Sequence, residues 1–235
     1  MITLEDILQK LIDLKAIGYI TTHRAGPTGI GKTLEDLLEI QENNINISNT
    51  TFAEIKSARK GVQSMLTLFT KAPNPAEANS KLLDRYGYVT PQSAGRKILH
   101  TTTWATRYNS LRGHTGFKVQ VAPNKLSLIS ASGEELGYWD EPTLRHSFEK
   151  KLHHVLYVLA DCRGRGNGEE FWFNEASLLT GFDFDSFTTA VNNGVICIDT
   201  RIGQYPDGST HDHGTGFRVP PDKLSLCFSE RQQLL

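Results

Sequence analysis

The sequence predicts a mixed fold of helices and strands, of the α/β or α+β class. Segments with helical spacing of apolar residues alternate with segments in which every second residue is apolar. Several of the latter are joined by short turns such as "APNK", a spacing that favours antiparallel strands. These features argue against an all-parallel nucleotide-binding sheet. The 235 residues are enough for one sizeable core, or for one domain with two lobes.

Composition is that of a soluble globular protein, with 38% hydrophobic and 22% charged residues. We expect no membrane span, because no apolar run reaches eighteen residues, and no signal peptide, because "MITLEDILQK" has no basic start. The three cysteines form no C-x-x-C pair, which is typical of reduced thiols in the cytoplasm. A net charge of -1 excludes unselective coating of nucleic acid, so any DNA site must concentrate positive charge locally.

The first helix is expected over residues 3–16, where Thr3 is an N-cap candidate, Asp6 follows three residues later and Gly18 is a stop signal. Other segments have helical periodicity: 33–41, 75–86, 141–154, 185–194 and 221–233. Strands are predicted from alternation or short apolar runs: 43–48, 52–58, 64–71, 97–103, 117–122, 125–131, 155–161, 171–176, 195–203 and 214–220.

The stretch "GPTGIGKT" at 26–33 fits the phosphate-binding pattern G-x-x-x-x-G-K-[ST] at every fixed position. Such a loop normally follows a buried parallel strand, but residues 21–24 are polar. Asp161 and Asp199 each follow apolar residues and are candidates for a second nucleotide-site motif. Two interpretations remain open here: a nucleotide hydrolase, or a glycine loop that begins a helix carrying Glu35.

A second motif is "EIK", Glu54–Ile55–Lys56, within a predicted strand. Side chains two residues apart on a strand point the same way, so Glu54 and Lys56 share one face. A metal-dependent nuclease of the PD-(D/E)xK type needs this arrangement: the carboxylate holds Mg²⁺ and the lysine lies beside the attacking water and the phosphate. Exposed strands often carry E-x-K, so the triplet alone is weak evidence for a nuclease. Its support comes from the preceding helix, which carries Glu35.

In order along the chain, "TGIGKTLEDLLE", "QENNI", "EIK", "LTLFTK" and "THDHGTGFR" resemble the MvaI/BcnI type of restriction endonuclease, which is related to the mismatch-repair nickase MutH. The matches run from residue 28 to residue 218. The resemblance implies a restriction-endonuclease-like PD-(D/E)xK core with two lobes that form a clamp around double-stranded DNA. It also implies Mg²⁺ as cofactor, a monomer, and no nucleotide at the glycine loop.

Carried over by position, Glu35 matches the helix carboxylate of that family, and Glu54 and Lys56 match its E-x-K pair. The principal metal-binding aspartate falls at Asn49, five residues before Glu54. Since Asn lacks the negative charge that Mg²⁺ prefers, this departure predicts weakened catalysis. Lys151 is similar in place to a further basic residue of MutH.

The resemblance implies that "DTR", "HDH" and "FR" line the major groove. The guanidinium groups of Arg201 and Arg218 can each donate two hydrogen bonds to O6 and N7 of a guanine. Asp199 is an acceptor for a cytosine amino group. Two further groups, His211 and His213, are donors to guanine or phosphate; a zinc site is the alternative reading of "HDH".

The family's targets have the form CC-N-GG. The branch that reads C or G at the middle pair carries histidines where this chain has Thr70 and Gly216, so a CCWGG site is implied.

We therefore predict a type II site-specific deoxyribonuclease, with residues 1–145 mainly catalytic and residues 146–235 mainly for DNA recognition. The alternatives are a MutH-like repair nickase, a P-loop NTPase, and a DNA-binding protein that has lost cleavage.

Overall fold

The computed structural model describes residues 3–39, 44–48, 51–152 and 154–235. Its α-helices are α1 (Leu4–Ile17), α2 (Gly29–Leu38), α3 (Ala78–Tyr86), α4 (Glu141–Leu152) and α5 (Phe184–Asn192). Its strands are β1 (Ile20–Thr21), β2 (Asn44–Ser48), β3 (Thr51–Arg59), β4 (Leu66–Thr70), β5 (Ile98–Thr103), β6 (Ser110–Leu111), β7 (His114–Thr115), β8 (Phe117–Ala122), β9 (Lys125–Ser130), β10 (Glu135–Asp140), β11 (Val155–Arg163), β12 (Glu170–Thr180), β13 (Cys197–Gln204), β14 (Thr210–Asp212), β15 (Gly216–Val219) and β16 (Glu230–Gln233). Short 3-10 turns lie at Pro91–Ser93, Gly166–Gly168 and Pro221–Leu226.

The chain divides into two compact units, each built from separate segments. Unit 1 comprises Met1–Ser64, Lys151–Phe182 and Phe228–Leu235, and unit 2 comprises Met65–Lys150 and Asp183–Cys227. The chain passes from one unit to the other four times, and the functional division into residues 1–145 and 146–235 stays a prediction. A hydrophobic pattern gives the elements but not which elements share a core, so interleaved units are difficult to detect from sequence.

Unit 1 contains a mixed sheet in the order β1-β12-β11-β3-β2, with β16 also paired to β12. Strands β3 and β11 are parallel, and the other pairs are antiparallel. Helices α1 and α2 cover one face, where Ile55 and Val158 contribute to the same core as Leu11 and Leu34. Because side chains alternate along β3, covering Ile55 leaves Glu54 and Lys56 on the other face.

Helix α1 begins and ends where the sequence predicts. Thr3 Oγ1 accepts a hydrogen bond from Asp6 N at 3.1 Å, and the Asp6 carboxylate accepts one from Thr3 N at 2.9 Å, which completes a capping box. The Thr3 hydroxyl, which donates to the Asp6 carboxylate at 2.7 Å, and then the Thr3 N–H lower the pKa of Asp6 below its usual value. The helix ends at Gly18, whose φ of 88° suits glycine.

Unit 2 contains a sheet in the order β14-β13-β15-β4, with β5 paired to the other edge of β13. A three-stranded sheet β10-β9-β8 and the hairpin β6-β7 belong to the same unit. The core of this unit is aromatic: Phe217 stacks on Phe69 at 4.6 Å between ring centroids and meets Phe187 and Trp139. Phe217 and its neighbours fill one face of the β13–β15 sheet, so the alternate side chains point to the opposite face.

The end of the chain differs from the prediction. Residues 221–233 were expected to form a helix, but only a 3-10 turn is formed, and β16 follows and pairs with β12. Leu224 is buried and Leu226 is 68% exposed, so the apolar residues of this segment do not form one helical face. Strand β10, which is interrupted by Gly137, and the hairpin β6-β7, whose strands have two residues each, were also missed.

Candidate functional site

The Glu54–Lys56 pair lies on β3, on the face that the helices do not cover. Glu54 is 3% exposed, and its Oε1 accepts a hydrogen bond from Lys56 Nζ at 2.8 Å. The ammonium group of Lys151 lies 3.6 Å from the same oxygen. A buried carboxylate needs such partners, because removing its hydration costs several kcal/mol unless charges nearby offset it. The structure therefore brings together Glu54, Lys56 and Lys151.

Tyr157 is a neighbour of this pair that the sequence analysis did not identify. In the parallel register between β3 and β11, Lys56 stands opposite Tyr157 and Glu54 opposite Val155. Tyr157 is 6% exposed, and burial raises the pKa of its hydroxyl. No motif marks this tyrosine in "VLYVLAD"; only the strand register shows that it lies beside the lysine.

Glu35 lies on α2, half-buried, on the helix layer over the opposite face of the sheet. One turn earlier, a Cβ added to Gly31 would lie 3.8 Å from Ser57 Oγ, which shows how closely this helix approaches β3. Among the described residues, Glu35 forms no ion pair with Lys56 or Lys151. The expected association of Glu35 with the E-x-K pair thus stays a prediction. Asn49 lies outside the described residues.

The arginine pair of unit 2 meets at Asp199 on β13. Asp199 is 0% exposed, and its Oδ2 lies 2.8 Å from Arg201 Nε and 2.9 Å from Arg218 Nη1. Thr102 Oγ1 on β5 donates to Asp199 Oδ1 at 3.0 Å. Both side chains keep exposed surface, 41% for Arg201 and 28% for Arg218, although Nε of Arg218 is buried. One buried acid therefore orients two partly exposed cations on the polar face of the sheet.

The role expected for Asp199, as an acceptor for a cytosine amino group, stays a prediction. In the protein alone its carboxylate has no exposed surface and contacts Thr102, Arg201 and Arg218. The sequence correctly placed Asp199 and Arg201 on one face, because they are two residues apart on β13. It did not indicate that Thr102 and Arg218 would converge on the same carboxylate, since both contacts are between distant segments.

The two histidines of "HDH" lie at the edge of the same sheet. His211 Nδ1 and His213 Nε2 are 3.1 Å apart, and their rings meet edge to face at 4.0 Å between centroids. His213 N donates to Arg201 O, which fixes that loop beside the arginine. His100 on β5 is opposite Arg201 in register; burial, then the charges of Arg201 and His213, lowers the pKa of His100.

The zinc interpretation of these histidines requires a third ligand. Within the part of the chain that the structure describes, no three His, Cys, Asp or Glu side chains are grouped to hold a metal ion. The central residue, Asp212, is instead occupied by structural bonds, from Asn79 Nδ2 at 2.8 Å and Gly214 N at 2.7 Å.

Thr70 and Gly216 pair directly across β4 and β15. Thr70 is exposed, and a Cβ added to Gly216 would lie 3.2 Å from Arg218 Nε, closer than nearly all real Cβ contacts. The missing side chain at position 216 therefore leaves space that the Arg218 side chain uses. The pairing of β4 with β15 therefore connects Thr70, through Gly216, to Arg218.

A family model for the MvaI/BcnI restriction endonuclease family matches residues 8–228. The chain belongs to this family. A solved structure described as a restriction endonuclease MvaI–cognate DNA substrate complex shares 32% identity, covers 97% of this chain and 96% of its own, and has a TM-score of 0.82. A structure of MvaI in the absence of DNA has 32% identity, coverages of 99% and 97%, and a TM-score of 0.59. No curated protein sequence matches the chain.

Membership of the MvaI/BcnI family confirms the predicted family and the restriction-endonuclease-like α+β fold. In this member, as the sequence resemblance implied, the glycine loop begins a helix. A Cβ on Gly29 would lie 2.1 Å from Arg24 O, so this glycine permits close packing of the loop. None of the helices in the described ranges is both long and apolar enough to span a membrane.

The groups that a phosphate-binding loop would offer to a nucleotide are engaged within the protein. Lys32 Nζ lies 2.5 Å from Asp36 Oδ1, and Thr33 Oγ1 is buried and accepts from His23 N at 2.9 Å. Lys32, then His23, lowers the pKa of Asp36 by hydrogen bonding. These contacts oppose the nucleotide hydrolase interpretation, in which the lysine and the hydroxyl face phosphate and Mg²⁺.

An ion pair between Arg59 and Glu169, which the sequence analysis did not identify, holds this loop. Arg59 donates to both carboxylate oxygens of Glu169 at 2.7 and 2.8 Å. Its remaining donors bind Gly26 O at 3.0 Å and Pro27 O at 3.1 Å. Hydrogen bonding to Arg59 lowers the pKa of Glu169. The loop carbonyls thus point at an arginine, which fixes the start of α2 relative to β3.

We predict that Lys32→Ala changes no nucleotide-dependent property. The variant loses one exposed pair within a helix, worth about 0.2–0.5 kcal/mol. ATP should cause no shift in melting temperature for either protein. Lys81→Ala, which removes the similar Lys81–Glu77 pair in α3, is the control. ATP hydrolysis by the parent that disappears in Lys32→Ala alone would overturn the interpretation.

We predict that Asp199→Asn destabilises unit 2, because the amide keeps the shape but loses the charge between two guanidinium groups. The loss should be about 1.5–3 kcal/mol, the range for hydrogen bonds to charged groups. Asp222→Asn, at an exposed position, should change stability by less than about 0.5 kcal/mol. Urea unfolding of the three proteins measures the difference, and equal midpoints would show that Asp199 does not hold the arginines.

Proposed function

We propose that this chain is a Mg²⁺-dependent type II restriction endonuclease that hydrolyses phosphodiester bonds in double-stranded DNA. The observation that carries the proposal is the buried Glu54 carboxylate with Lys56 Nζ at 2.8 Å, on the sheet face opposite α1 and α2 in a restriction endonuclease family member. The similar solved structure is a complex of MvaI with its cognate DNA substrate, which supports duplex DNA as the partner of this chain. The family resemblance supports action as a monomer.

The donor set suits a hard cation in part. Glu54 supplies a carboxylate oxygen, the ligand type that Mg²⁺ prefers, and Asn49 would supply a neutral oxygen at the position of the second ligand. When bound, Mg²⁺ polarises the phosphate and lowers the pKa of a bound water. Glu35 is proposed as a further carboxylate of the site on the family resemblance alone, because α2 packs on the opposite face of the sheet.

The chain's own groups then account for the rest of the reaction. The Lys56 ammonium, held by Glu54, lies where it stabilises negative charge that develops on the phosphate oxygens as water attacks phosphorus. The oxygen–phosphorus bond to the attacking water forms while the bond to the leaving sugar oxygen breaks. Lys151 adds a second positive charge beside the same carboxylate.

The recognition residues support a CC-N-GG target. Arg201 and Arg218 present partly exposed guanidinium groups from one sheet face, and each fits the O6 and N7 acceptors of one guanine. His211 and His213, beside Arg201, are donors to guanine or phosphate. At the middle pair Thr70 and Gly216 replace the histidines of the C/G-reading branch, which supports CCWGG.

Catalysis by the chain as it stands is proposed to be weak because of Asn49. We predict that Asn49→Asp increases the rate of cleavage in Mg²⁺ by about tenfold or more, equivalent to at least ~1.4 kcal/mol of barrier. The added charge strengthens the metal site. Single-turnover digestion of a CCWGG duplex measures the rates. Asn193→Asp, an exposed change of the same charge, is the control and should have no effect.

Equal rates for the parent and Asn49→Asp would show that position 49 does not contribute to the metal site. Binding of CCWGG duplex without cleavage by either protein would instead support a DNA-binding protein that has lost the reaction. That second candidate is favoured by one observation, the asparagine at the expected aspartate position.

We predict that Arg201→Ala and Arg218→Ala each reduce preference for the site over random duplex by about 1–3 kcal/mol, the value of one bidentate arginine–guanine pair. Competition binding in Ca²⁺ at two salt concentrations measures both affinities. Arg163→Ala, in unit 1 and paired with Glu170, should leave the preference unchanged. If each arginine variant lowers specific and random affinity by the same factor, both arginines contact only phosphate.

A further inference from the structure

Positive charge in unit 2 is concentrated in one part of the chain. Residues 85–133 contain seven Lys and Arg and no Asp or Glu, in a protein with 26 acidic residues and a net charge of -1. Such segregation creates a local field that the net charge conceals. The proposed recognition face does not account for it, because Arg201 and Arg218 lie elsewhere in the sequence.

Some of these cations are neutralised and others are not. Arg85 pairs with Glu134, and Lys125 pairs with Glu135 at 2.7 Å. By contrast, Arg107, Arg112 and Lys118 form no ion pair with a carboxylate of the described chain and lie over aromatic rings instead. The distances to the ring centroids are 5.2 Å over Trp104, 4.4 Å over Tyr88 and 5.2 Å over Tyr108. Stacking restrains a cation while leaving its N–H groups free for an anion.

These residues belong to a rigid element, residues 104–118, which we name the basic hairpin. At its base, Asn109 Oδ1 accepts from Phe117 N at 2.8 Å, and Asn109 Nδ2 donates to Thr101 Oγ1 at 2.9 Å. A Cβ on Gly116 would lie 2.1 Å from Asn109 Oδ1, so the packing at this point requires glycine. The base is therefore fixed to β5, and little conformational entropy remains to be lost when a ligand binds the hairpin.

At the tip, β6 and β7 are joined by Arg112 and Gly113, with φ values of 50° and 87°. A two-residue turn with positive φ at both positions favours Asn-Gly, and arginine is sterically disfavoured there. Arg112 is held by a bond from Nη2 to Val89 O at 3.1 Å and by the Tyr88 ring. An arginine retained in a strained position indicates a use for its side chain.

The basic hairpin borders the polar face that carries Arg201. The hairpin begins just after Thr103, at one end of β5. Its tip lies near the other end of β5, because Arg112 stacks on Tyr88 and Tyr88 pairs with Ile98, the first residue of that strand. The Tyr88 hydroxyl donates to His100 O, and His100 is opposite Arg201 in register. Exposed cations thus continue from the reading face to the edge of the sheet beyond β5.

We propose that the basic hairpin binds the phosphate backbone of duplex DNA outside the base pairs read by Arg201 and Arg218. The inference rests on the proposed function, since it requires duplex DNA on that face. Arginines that are held in place and form no ion pair with a carboxylate of the described residues are suited to phosphate oxygens, which arginine can bind in a bidentate manner. The hairpin contributes affinity and a longer footprint, and it does not contribute sequence preference.

The test is equilibrium binding in Ca²⁺ to four duplexes, short and long, with and without CCWGG, over a salt series. The parent is compared with Arg107→Ala/Arg112→Gly, in which glycine suits the turn and removes the charge without added strain. Arg112→Lys keeps the charge. Arg85→Ala removes an exposed arginine that also lies over a tyrosine but is paired with Glu134.

The double variant should bind both long duplexes about tenfold more weakly and lower the salt slope by about two, because each phosphate contact contributes about 0.9. The site preference and the affinity for the short site duplex should stay unchanged. Arg112→Lys should keep its salt slope, and Arg85→Ala should match the parent.

An unchanged salt slope in the double variant, or an equal loss on short and long duplexes, would overturn the proposal. The proposed function is judged separately in the same assay, by the preference of the parent for the site duplex over random DNA. A parent with that preference and an unaffected double variant would refute the hairpin contact alone.

Discussion

A carboxylate removed from water must be neutralised by its neighbours, and each unit of this protein contains one such group at its candidate site. In unit 1 the acid is Glu54, with two lysine ammonium groups near one oxygen. In unit 2 it is Asp199, with two guanidinium groups near one oxygen. In both cases one acid holds two cations, so each cluster carries excess positive charge. Two local positive sites thereby coexist with a net charge of -1.

The same arrangement fixes geometry. A free arginine must lose rotamer entropy when it binds a base, whereas Arg201 and Arg218 are already restrained by Asp199 and Thr102. The restraint uses some of the N–H donors of each arginine, because part of each guanidinium group is bonded to Asp199. What remains exposed is a preset pair of cations at a fixed separation. Such a pair suits recognition of fixed base positions better than a flexible lysine would.

Local rules predicted much of this structure, and contacts between distant segments supplied the rest. The alternation of "EIK" and "DTR" placed Glu54 with Lys56 and Asp199 with Arg201, since strand periodicity needs no knowledge of the fold. The burial of Asp199 was not predictable from "VICIDTRIG", because it depends on Thr102 and Arg218, far away in sequence. The last segment was assigned wrongly for the same reason: pairing of β16 with β12 decided its conformation.

The match to a phosphate-binding loop shows how a local pattern misleads when its context is lacking. Every fixed position of the motif is present, yet Gly26 has a φ of 93°, which favours glycine, and Lys32 is paired with Asp36. Gly26 and Lys32 thus have reasons to be there that involve no nucleotide. The polar residues before the loop were the one local sign of this, since they do not suit a central parallel strand.

Gly216, which is proposed to contribute to specificity at the middle base pair, lies beside Arg218. The space beside Gly216 is occupied by Arg218, whose Nε would lie 3.2 Å from an added Cβ. A side chain at this position displaces Arg218 by a few tenths of an ångström, and Arg218 also contacts the buried Asp199. We therefore expect position 216 and Arg218 to influence each other, so that the residue proposed to read the centre affects the placement of the group proposed to read the flanking guanine. The short side chains at Thr70 and Gly216 are, on this argument, part of the same arrangement that holds Arg201 and Arg218.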